Sequence, residues 1–426
     1  MRCVAGISHD QTMGWGVETE CSLAAAWSDE LQALVQAGLV ASPVAVDGLA
    51  DEPRFPAYVC RAAARPDVSD DDIPASGFGV DPDDALARLK AAGECLETLC
   101  GLAAQSVDAG ADPDPETTGA VVRELTGLNK DTLDRILPSL ARIPARNPVT
   151  GAAAALPAQL VSLSARHSAE PQLLPERTSG GLAFGRIGTG RALVSAILEQ
   201  VERDAAAAAF AQPRRLRRLA ELPGPAAALA GRIEDCGLAL HVFDITSDLG
   251  IPTIACLAVD DSGRGPFLTA SAASRLDYAT ALEKALLEAV QGRSAFRAWE
   301  DRIRARYIER PDDIRGGLDR IAWWWDAPAR RADLAFYLDG AGRLPRVDLT
   351  AQLGPDDVFA ALRRHGLDLW IADLTLPEVR AVGYETVKAI IPGLHRLHMS
   401  EAAAQAVSRH YGILQPDPGA PPHPMA

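Results

Sequence analysis

The 426-residue sequence has few cysteines and no apolar run long enough to cross a membrane. Its seven cysteines are scattered and include no CxxC pair, which argues against a disulfide framework or a zinc site and predicts reduced thiols. A membrane-spanning helix needs roughly 20 mostly apolar residues, and no stretch approaches that length. The first residues also lack a basic segment followed by an apolar one, so we expect no signal peptide. These absences predict a cytoplasmic protein that does not bind membranes.

Basic residues are also fewer than acidic residues. The 42 lysines and arginines are outnumbered by 57 acidic residues, which gives a net charge of −15. Such a mean field repels phosphate, so a general nucleic-acid binder is excluded, although a local basic pocket for a nucleotide is not. The hydrophobic content of 48% and the charged content of 23% are ordinary for a soluble globular protein.

Several catalytic signatures are missing. The sequence contains no Walker-type GxxxxGK[ST] loop, no HExxH and no GxSxG. P-loop, zinc-protease and α/β-hydrolase functions therefore have no support. The segment GRIGTGR at 185–191 has the glycine spacing of a phosphate loop but neither the Lys-Ser/Thr ending nor a predicted strand–helix context, so it indicates phosphate binding only weakly.

The sequence does contain one acidic helix pattern that occurs three times, at residues 85–97, 192–202 and 281–291. Each copy follows a segment rich in glycine or serine. The aligned acidic positions are Glu94, Glu199 and Glu288, followed three residues later by Glu97, Glu202 and Gln291. Residues at i and i+3 share a helix face, so each helix presents two acid or amide groups on an apolar background.

Clustered carboxylates on a partly buried face are costly unless a cation neutralises them. Carboxylate oxygens suit Mg²⁺ or Ca²⁺, and Mg²⁺ commonly binds a few carboxylates together with substrate phosphates. A single ExxE pair is an ordinary helix-surface pattern. Three copies in register instead favour a nucleotide–metal site that the three helices share.

The remaining segments predict a mixed chain of helices and strands. Residues 238–258 read as two β runs around an acidic turn, and residues 104–147 as a helical insertion that forms a connecting hairpin or a lid. The three tryptophans at 323–325 fit either core packing or a peptide-binding surface. The Pro-rich tail at 416–426 is expected to be extended rather than packed.

Five segments in one order resemble the YcaO superfamily, whose ATP-dependent enzymes activate peptide backbone amides. They are TSGGLAFG (178–185), AILEQVERDA (196–205), FDITSDLGIP (243–252), SAASRLDYATALEKALLEAVQGR (271–293) and VKAIIPGLHRLHM (387–399). The ending PPHPM resembles the Pro-rich tail of azoline-forming members. The resemblance extends over residues 73–426 and is specific because the motifs are linked.

The resemblance implies an α+β, YcaO-like fold with mixed β-sheets, internal repeats and acidic helices lining a central ATP site. It divides the chain into a divergent amino-terminal segment at 1–72, a catalytic domain at 73–415 that includes the 104–147 insertion, and the tail at 416–426.

The resemblance further implies ATP and Mg²⁺ as cofactors. The implied metal ligands are Glu94, Glu97, Glu199, Glu202 and Glu288. The implied ATP or phosphate contacts are Lys90, Ser195, Arg203, Gln291 and Arg293. The catalytic residue is unknown, with His423 and Pro424 of the tail as candidates. Lys90 and Thr98 stand where the family usually has Ser and Arg, which predicts a different phosphate contact in the first block.

The implied reaction begins when a nucleophile attacks a backbone amide of a ribosomally made peptide. ATP phosphorylates the oxyanion, and phosphate leaves with the former carbonyl oxygen. The tail favours azoline formation from Cys, Ser or Thr. Thioamide or macroamidine formation is the alternative, and a non-catalytic peptide-binding scaffold is a third interpretation. The implied partners are a precursor peptide, a separate leader-binding or sulfide-delivering protein, and a second copy of the chain in a homodimer.

Overall fold

The computed structural model describes residues 29–63, 65, 68, 74–107, 112–174, 176, 180–401, 407–408, 412–413 and 415–425. Residues 1–28 of the predicted divergent segment and residues 178–179 of the TSGGLAFG motif lie outside these ranges. Among the described helices, none is both long enough and apolar enough to span a membrane.

The described helices are α1 (29–36), α2 (Asp84–Leu102), α3 (Pro115–Thr126), α4 (Lys130–Ile136), α5 (Arg191–Ala211), α6 (Gly224–Glu234), α7 (Tyr278–Ala298), α8 (Glu300–Arg304), α9 (Gly317–Trp323), α10 (Ala327–Gly340), α11 (Pro355–Arg364) and α12 (Pro377–Ala381). The three predicted acidic helices are confirmed as α2, α5 and α7. Helix α2 begins at Asp84, where Asp83 caps it by accepting a hydrogen bond from the Leu86 N–H at 2.9 Å.

The strands are β1 (Val44–Ala45), β2 (Ala57–Arg61), β3 (Ser76–Val80), β4 (Arg142–Arg146), β5 (Ala153–Pro157), β6 (Leu182–Arg186), β7 (Arg217–Leu219), β8 (Ala239–Asp244), β9 (Thr253–Val259), β10 (Leu268–Ser274), β11 (Gly342–Leu344), β12 (Trp370–Asp373), β13 (Tyr384–Ile390), β14 (Val407–Ser408) and β15 (Gly412–Ile413).

These strands form three main sheets, with orders β1-β2-β3, β10-β9-β8-β7-β11 and β5-β4-β12-β13-β6, and a short β14-β15 pair. All described strand pairs are antiparallel except β11 with β7. This is the mixed α+β architecture that the sequence predicted. The predicted insertion at 104–147 contains α3 and α4, but its last residues form β4, which pairs with β5 inside the third sheet.

Helix α2 packs unusually closely on strand β3. A Cβ atom at Gly77 would lie 2.2 Å from the carbonyl oxygen of Ala91, and one at Gly79 would lie 2.1 Å from that of Ala87. Only glycine permits this approach of strand backbone to helix backbone. The Gly-rich segment before the first acidic helix therefore serves to bring a strand edge against that helix.

The tryptophans at 323–325 are all buried, which confirms core packing. The expectation of an unpacked tail is wrong, because residues 422–425 are also buried and Met425 joins the core that contains Trp323 and Trp324. Tyr337 Oη donates to the carbonyl oxygen of Pro421 at 2.8 Å, and Arg320 Nη1 donates to that of His423 at 2.9 Å. Prolines lack an N–H, so such a segment can be buried once donors reach its carbonyls.

Candidate active site

Three edge strands face the three acidic helices. Strands β3, β6 and β10 each lie at the end of a sheet, so part of their backbone has no neighbouring strand to bond. Glutamates of the helices accept these hydrogen bonds instead. The donors and acceptors are Phe78 N–H to Glu94 (3.0 Å), Phe184 N–H to Glu97 (3.0 Å), Gly181 N–H, beside β6, to Glu199 (2.9 Å) and Ser274 N–H to Glu202 (3.2 Å).

The contacts join the three repeats into a closed ring. The second acid of α2, Glu97, bonds to β6 of the next repeat, and the second acid of α5, Glu202, bonds to β10 of the third. In α7 the corresponding residue is Gln291, whose Nε2 donates to the Phe78 carbonyl oxygen of β3 at 3.1 Å. The Phe78 carbonyl oxygen can only accept a hydrogen bond, so the side chain that faces it must be a donor. An amide supplies one and a carboxylate does not.

The glutamates form a crowded cluster with raised pKa values. Burial is the largest cause, and neighbouring carboxylates add to it, raising the pKa of Glu97 to about 8 and those of Glu94 and Glu202 to about 7. Glu94 nevertheless keeps an exposed side chain. A carboxylate that is surrounded by protein yet open to solvent belongs to the wall of a cleft, where a ligand can reach it.

Positive groups compensate only part of this charge. Burial tends to raise the pKa of Glu199, but Arg203, 2.9 Å away, and the more distant Lys388 and Lys284 bring it below its usual value. Lys388 is 1% exposed, and burial lowers its pKa to about 8. The structure therefore places the predicted Arg203 in the cluster as the partner of Glu199.

Lys284 is a site residue that the sequence analysis missed. Its Nζ lies 2.8 Å from Glu288 Oε1, and its charge lowers the pKa of Glu94, Glu97 and Glu202 against the effect of burial. The signal was available in the repeat alignment. Lys284 stands four residues before Glu288, as Lys90 stands before Glu94 and Ser195 before Glu199.

The other predicted phosphate contacts have different surroundings. Lys90 is exposed and its Nζ pairs with Asp81 Oδ2 at 2.6 Å, while Ser195 is exposed one turn before Glu199. Arg293 is not brought to the cluster. It is 2% exposed, and its nitrogens donate to Glu52, Asp260 and the Pro266 carbonyl oxygen. Its geometry is that of a structural ion pair.

The two tail candidates are enclosed. Pro424 is buried, and His423 is 6% exposed with its Nε2 donating to the His398 carbonyl oxygen at 2.6 Å. Burial, together with the charges of Arg320 and His398, lowers the pKa of His423 well below its usual value. Contact of this imidazole with a substrate would require the tail to move.

The GRIGTGR segment has the strand–helix context that the sequence analysis did not expect. It leaves β6 and enters α5, with Gly188 and Gly190 at φ values of 81° and 67°. These left-handed conformations favour glycine. The glycine spacing is thus explained by the turn that starts the second acidic helix.

The donor set fits Mg²⁺, although no group of three or more His, Cys, Asp or Glu in the described ranges is already arranged around a metal position. One carboxylate oxygen accepts a hydrogen bond from a backbone N–H in each of Glu94, Glu97 and Glu202. The second oxygen of each receives no hydrogen bond from another described residue. Free carboxylate oxygens in a solvent-accessible cleft are what Mg²⁺ takes when it binds together with phosphates.

Comparison with known proteins agrees with this geometry. A family model described as YcaO cyclodehydratase, ATP- and Mg²⁺-binding, matches residues 76–395. The chain belongs to the YcaO family. ATP and Mg²⁺ are therefore the cofactors of its family, and that family is one of enzymes.

The YcaO chain is 31% identical over 174 residues to an uncharacterized protein of Methanothermobacter thermautotrophicus, a match that spans 39% of this chain and 42% of the relative. The solved YcaO structure from Methanopyrus kandleri bound with AMPPCP and Mg²⁺ is 17% identical, with a TM-score of 0.59 over 90% of this chain and 93% of that one. The E. coli microcin synthetase McbBCD complex with pro-MccB17 bound is 13% identical, with a TM-score of 0.60 over 85% and 90%. These two structures share the fold.

Proposed function

We propose that this YcaO protein uses ATP and Mg²⁺ to activate a backbone amide of a ribosomally made peptide, and that its product is an azoline ring formed by cyclodehydration. One observation carries the proposal. Five glutamates lie together on three helices, and among the described residues the cations that lower their pKa values are Lys284, Arg203, Lys388 and Arg275. Such a cluster is favoured in its ionised form when cations arrive with the ligand, and without them its carboxylates tend to take up protons.

The contacts of each site residue indicate its role in binding Mg²⁺ or ATP. Glu94, Glu97 and Glu202 hold a free oxygen toward the cleft and would bind Mg²⁺, while backbone N–H groups fix their orientation. When bound, ATP supplies the phosphoryl group that turns the amide oxygen into a leaving group, and Mg²⁺ balances its charge. Lys284, the most central cation, would contact phosphate oxygens directly.

Glu199 has a different task from its neighbours. Both of its oxygens are occupied, one by the Gly181 N–H and the other by Arg203. It therefore orients the Arg203 guanidinium at the edge of the cluster, where a planar donor set suits a phosphate. Charged donors fixed before the substrate arrives stabilise developing charge without having to reorganise.

The product and the partners are further parts of the proposal. The Pro-rich ending favours azoline formation, and thioamide or macroamidine formation by the same activation is the alternative. A separate leader-binding or sulfide-delivering protein is proposed by analogy with the McbBCD complex, which contains several chains. A homodimer and a cytoplasmic location stay predictions.

The test combines ATP turnover with the intact mass of a candidate peptide. Purified protein with Mg²⁺, ATP and the peptide encoded beside its gene should release phosphate and change the peptide mass. Loss of one water per modification indicates azoline or amidine, and exchange of one oxygen for sulfur indicates thioamide. A protein that neither binds nor hydrolyses ATP, with or without peptide and partner, would contradict every enzymatic form of the proposal.

A further inference from the structure

A row of positive side chains crosses one edge of the second sheet. Strand β11 pairs in parallel with β7, and this pairing sets Arg343 directly beside Arg218. Register partners point to the same face of a sheet, so two like charges are neighbours there. Both side chains are exposed. Like charges in this relation are destabilising, and the arrangement is notable in a chain whose net charge is −15.

Neither arginine has a counter-charge. No ion pair or side-chain hydrogen bond involves Arg218 or Arg343 among the described residues. The contrast is the adjacent Arg217, which points to the opposite face and pairs with Asp244 Oδ2 at 2.7 Å. Two exposed guanidiniums side by side therefore leave a fork-shaped set of donors directed at solvent.

A third nitrogen group lies on β8, on the same face as Arg218 but two residues from its register partner Phe243. His241 is partly buried, and its Nδ1 has no hydrogen-bond partner within the described ranges. Burial, with a smaller contribution from the nearby Arg218, lowers its pKa to about 4. The neutral ring can still donate one hydrogen bond. The group Arg343, Arg218 and His241, here called the basic edge, thus places nitrogen-bearing side chains on three adjacent strands, with the two arginines exposed.

The backbone beside the basic edge is open as well. Strand β11 is the last strand of its sheet. The Gly342 N–H donates to Leu216 O at 2.8 Å, and the Ala220 N–H donates to Leu344 O at 3.0 Å. Because successive residues of a strand alternate in direction, the N–H and C=O of Arg343 between them point to the free side. An extended chain could pair there while its acidic side chains meet the arginines.

We propose that the basic edge docks an acidic, extended segment of the peptide substrate, outside the residues that are modified. The proposal rests on the proposed function for the identity of the occupant. Backbone pairing with an edge strand is a common way to hold an extended peptide, and charge complementarity selects among sequences. Charge on an edge strand also hinders aggregation, a role that needs no ligand.

The test measures fluorescence anisotropy of a labelled synthetic peptide of alternating glutamate and threonine against the full chain, with a lysine–threonine peptide as the probe of opposite charge. The acidic peptide should bind and the basic one should not. Replacing both arginines (Arg218→Ala with Arg343→Ala) should raise Kd by about tenfold or more, since each lost charged hydrogen bond weakens binding by a similar order. Arg343→Pro, which also removes the edge N–H, should weaken binding beyond Arg343→Ala.

The matched control is Arg363→Ala with Arg364→Ala, which removes the same charge from two exposed arginines of α11. It should leave Kd unchanged. Equal losses in both double variants, equal binding of both peptides, or full competition by inorganic phosphate would overturn the proposal. ATP turnover of the wild type is measured separately. Acidic-peptide binding by a protein that neither binds nor hydrolyses ATP, with or without peptide and partner, would refute the proposed function and leave the basic edge as an acidic-peptide site. ATP turnover without acidic-peptide binding would refute the basic edge and leave the proposed function.

Discussion

Two groups of enclosed charges in this protein are balanced in opposite ways. In one group, Arg293 donates to Glu52 at 3.0 Å and to Asp260 at 2.7 Å, and Arg297 donates to Asp51 and Glu52. We call these five residues the Arg293 network. Burial tends to raise the pKa of Asp260, but hydrogen bonds and the charge of Arg293 hold it below its usual value. Every charge has a partner within the fold.

The glutamate cluster differs because its charges are not matched. Three of its carboxylates have raised pKa values, which means that folding alone does not stabilise their ionised forms. The comparison separates two roles that look alike in a sequence. Charged side chains that all have partners within the fold indicate a structural ion network. Carboxylates that outnumber their cationic partners and are open to a cleft indicate a site that binds cations.

The largest expected effect is on catalysis. Glu202→Gln should lower ATP turnover by more than about 100-fold, because a neutral amide replaces a charged metal ligand whose supporting groups alone are worth 10- to 100-fold. The melting temperature without Mg²⁺ should stay equal or rise, since a like charge is removed. Glu116→Gln, on an exposed part of α3, is the control. Turnover of the Glu202 variant at the wild-type rate would remove it from the metal site.

Disrupting the Arg293 network should lower the stability of the folded protein. Arg293→Met should lower the free energy of unfolding by about 3–5 kcal/mol, because Asp260 would remain buried without its arginine and Glu52 would keep only Arg297. Chemical denaturation measures the change, with the exposed Arg363→Met as control. A loss below about 1 kcal/mol would show that the network contributes no more than a surface pair, and the contrast between the two groups would fail.

Bound nucleotide and Mg²⁺ should stabilise the folded protein through the glutamate cluster alone. Mg²⁺ with a non-hydrolysable ATP analogue at 100 times its Kd should raise the free energy of unfolding by about 2.7 kcal/mol. The gain should disappear in Glu202→Gln and persist in Glu116→Gln. Thermal melting with and without the analogue gives the answer, and an equal gain in both variants would place the nucleotide elsewhere.

Closing the ring of repeats depends on one amide. Gln291→Glu should cost about 1–3 kcal/mol of unfolding free energy, because the Phe78 carbonyl oxygen loses its donor and a further negative charge enters the cluster. Gln105→Glu is a matched control, since Gln105 also donates to a backbone carbonyl, that of Ala103, but is exposed. Equal costs in the two variants would show that ring closure has no special weight.

A pH dependence should also appear in the metal-free protein. The pKa of Glu97 rises from 4.5 to about 8 on folding, so its contribution to stability is full below pH 4.5 and is lost as the pH rises through 8. The melting temperature of Glu97→Gln relative to the wild type should therefore increase from pH 5 to pH 8. The raised pKa of Arg203 keeps it charged over this range, whereas Lys388 titrates near its end. A constant difference across the range would contradict the raised pKa.

Much of the site was predictable because its signals are local. The spacing of Glu94 and Glu97 and of its two counterparts fixes which side chains share a helix face, and helix periodicity needs no distant partner. The cap at Asp83 is local as well. Lys284 could have been found by the same alignment, at the position that Lys90 and Ser195 occupy in the other two copies.

Two of the errors involve partners far away in the chain. Arg293 follows the third acidic helix pattern, but its ion-pair partner Glu52 lies 241 residues earlier. The tail looked unpacked from its prolines, yet its carbonyls meet Arg320 and Tyr337, which are 103 and 84 residues away from them. The composition of a segment indicates the conformation that it prefers in isolation. Whether the segment is buried depends on the hydrogen-bond donors and packing surfaces that distant residues supply.

The sequence by itself determined three acidic helices, their paired acids, an acidic net charge and the family resemblance. Only the tertiary structure decided that the edges of three separate sheets meet those helices, that Gln291 closes the ring as a donor, and that Arg293 is structural. The physical reason is that helix faces follow from residues three and four apart, whereas strand edges and ion pairs join residues separated by tens to hundreds of positions.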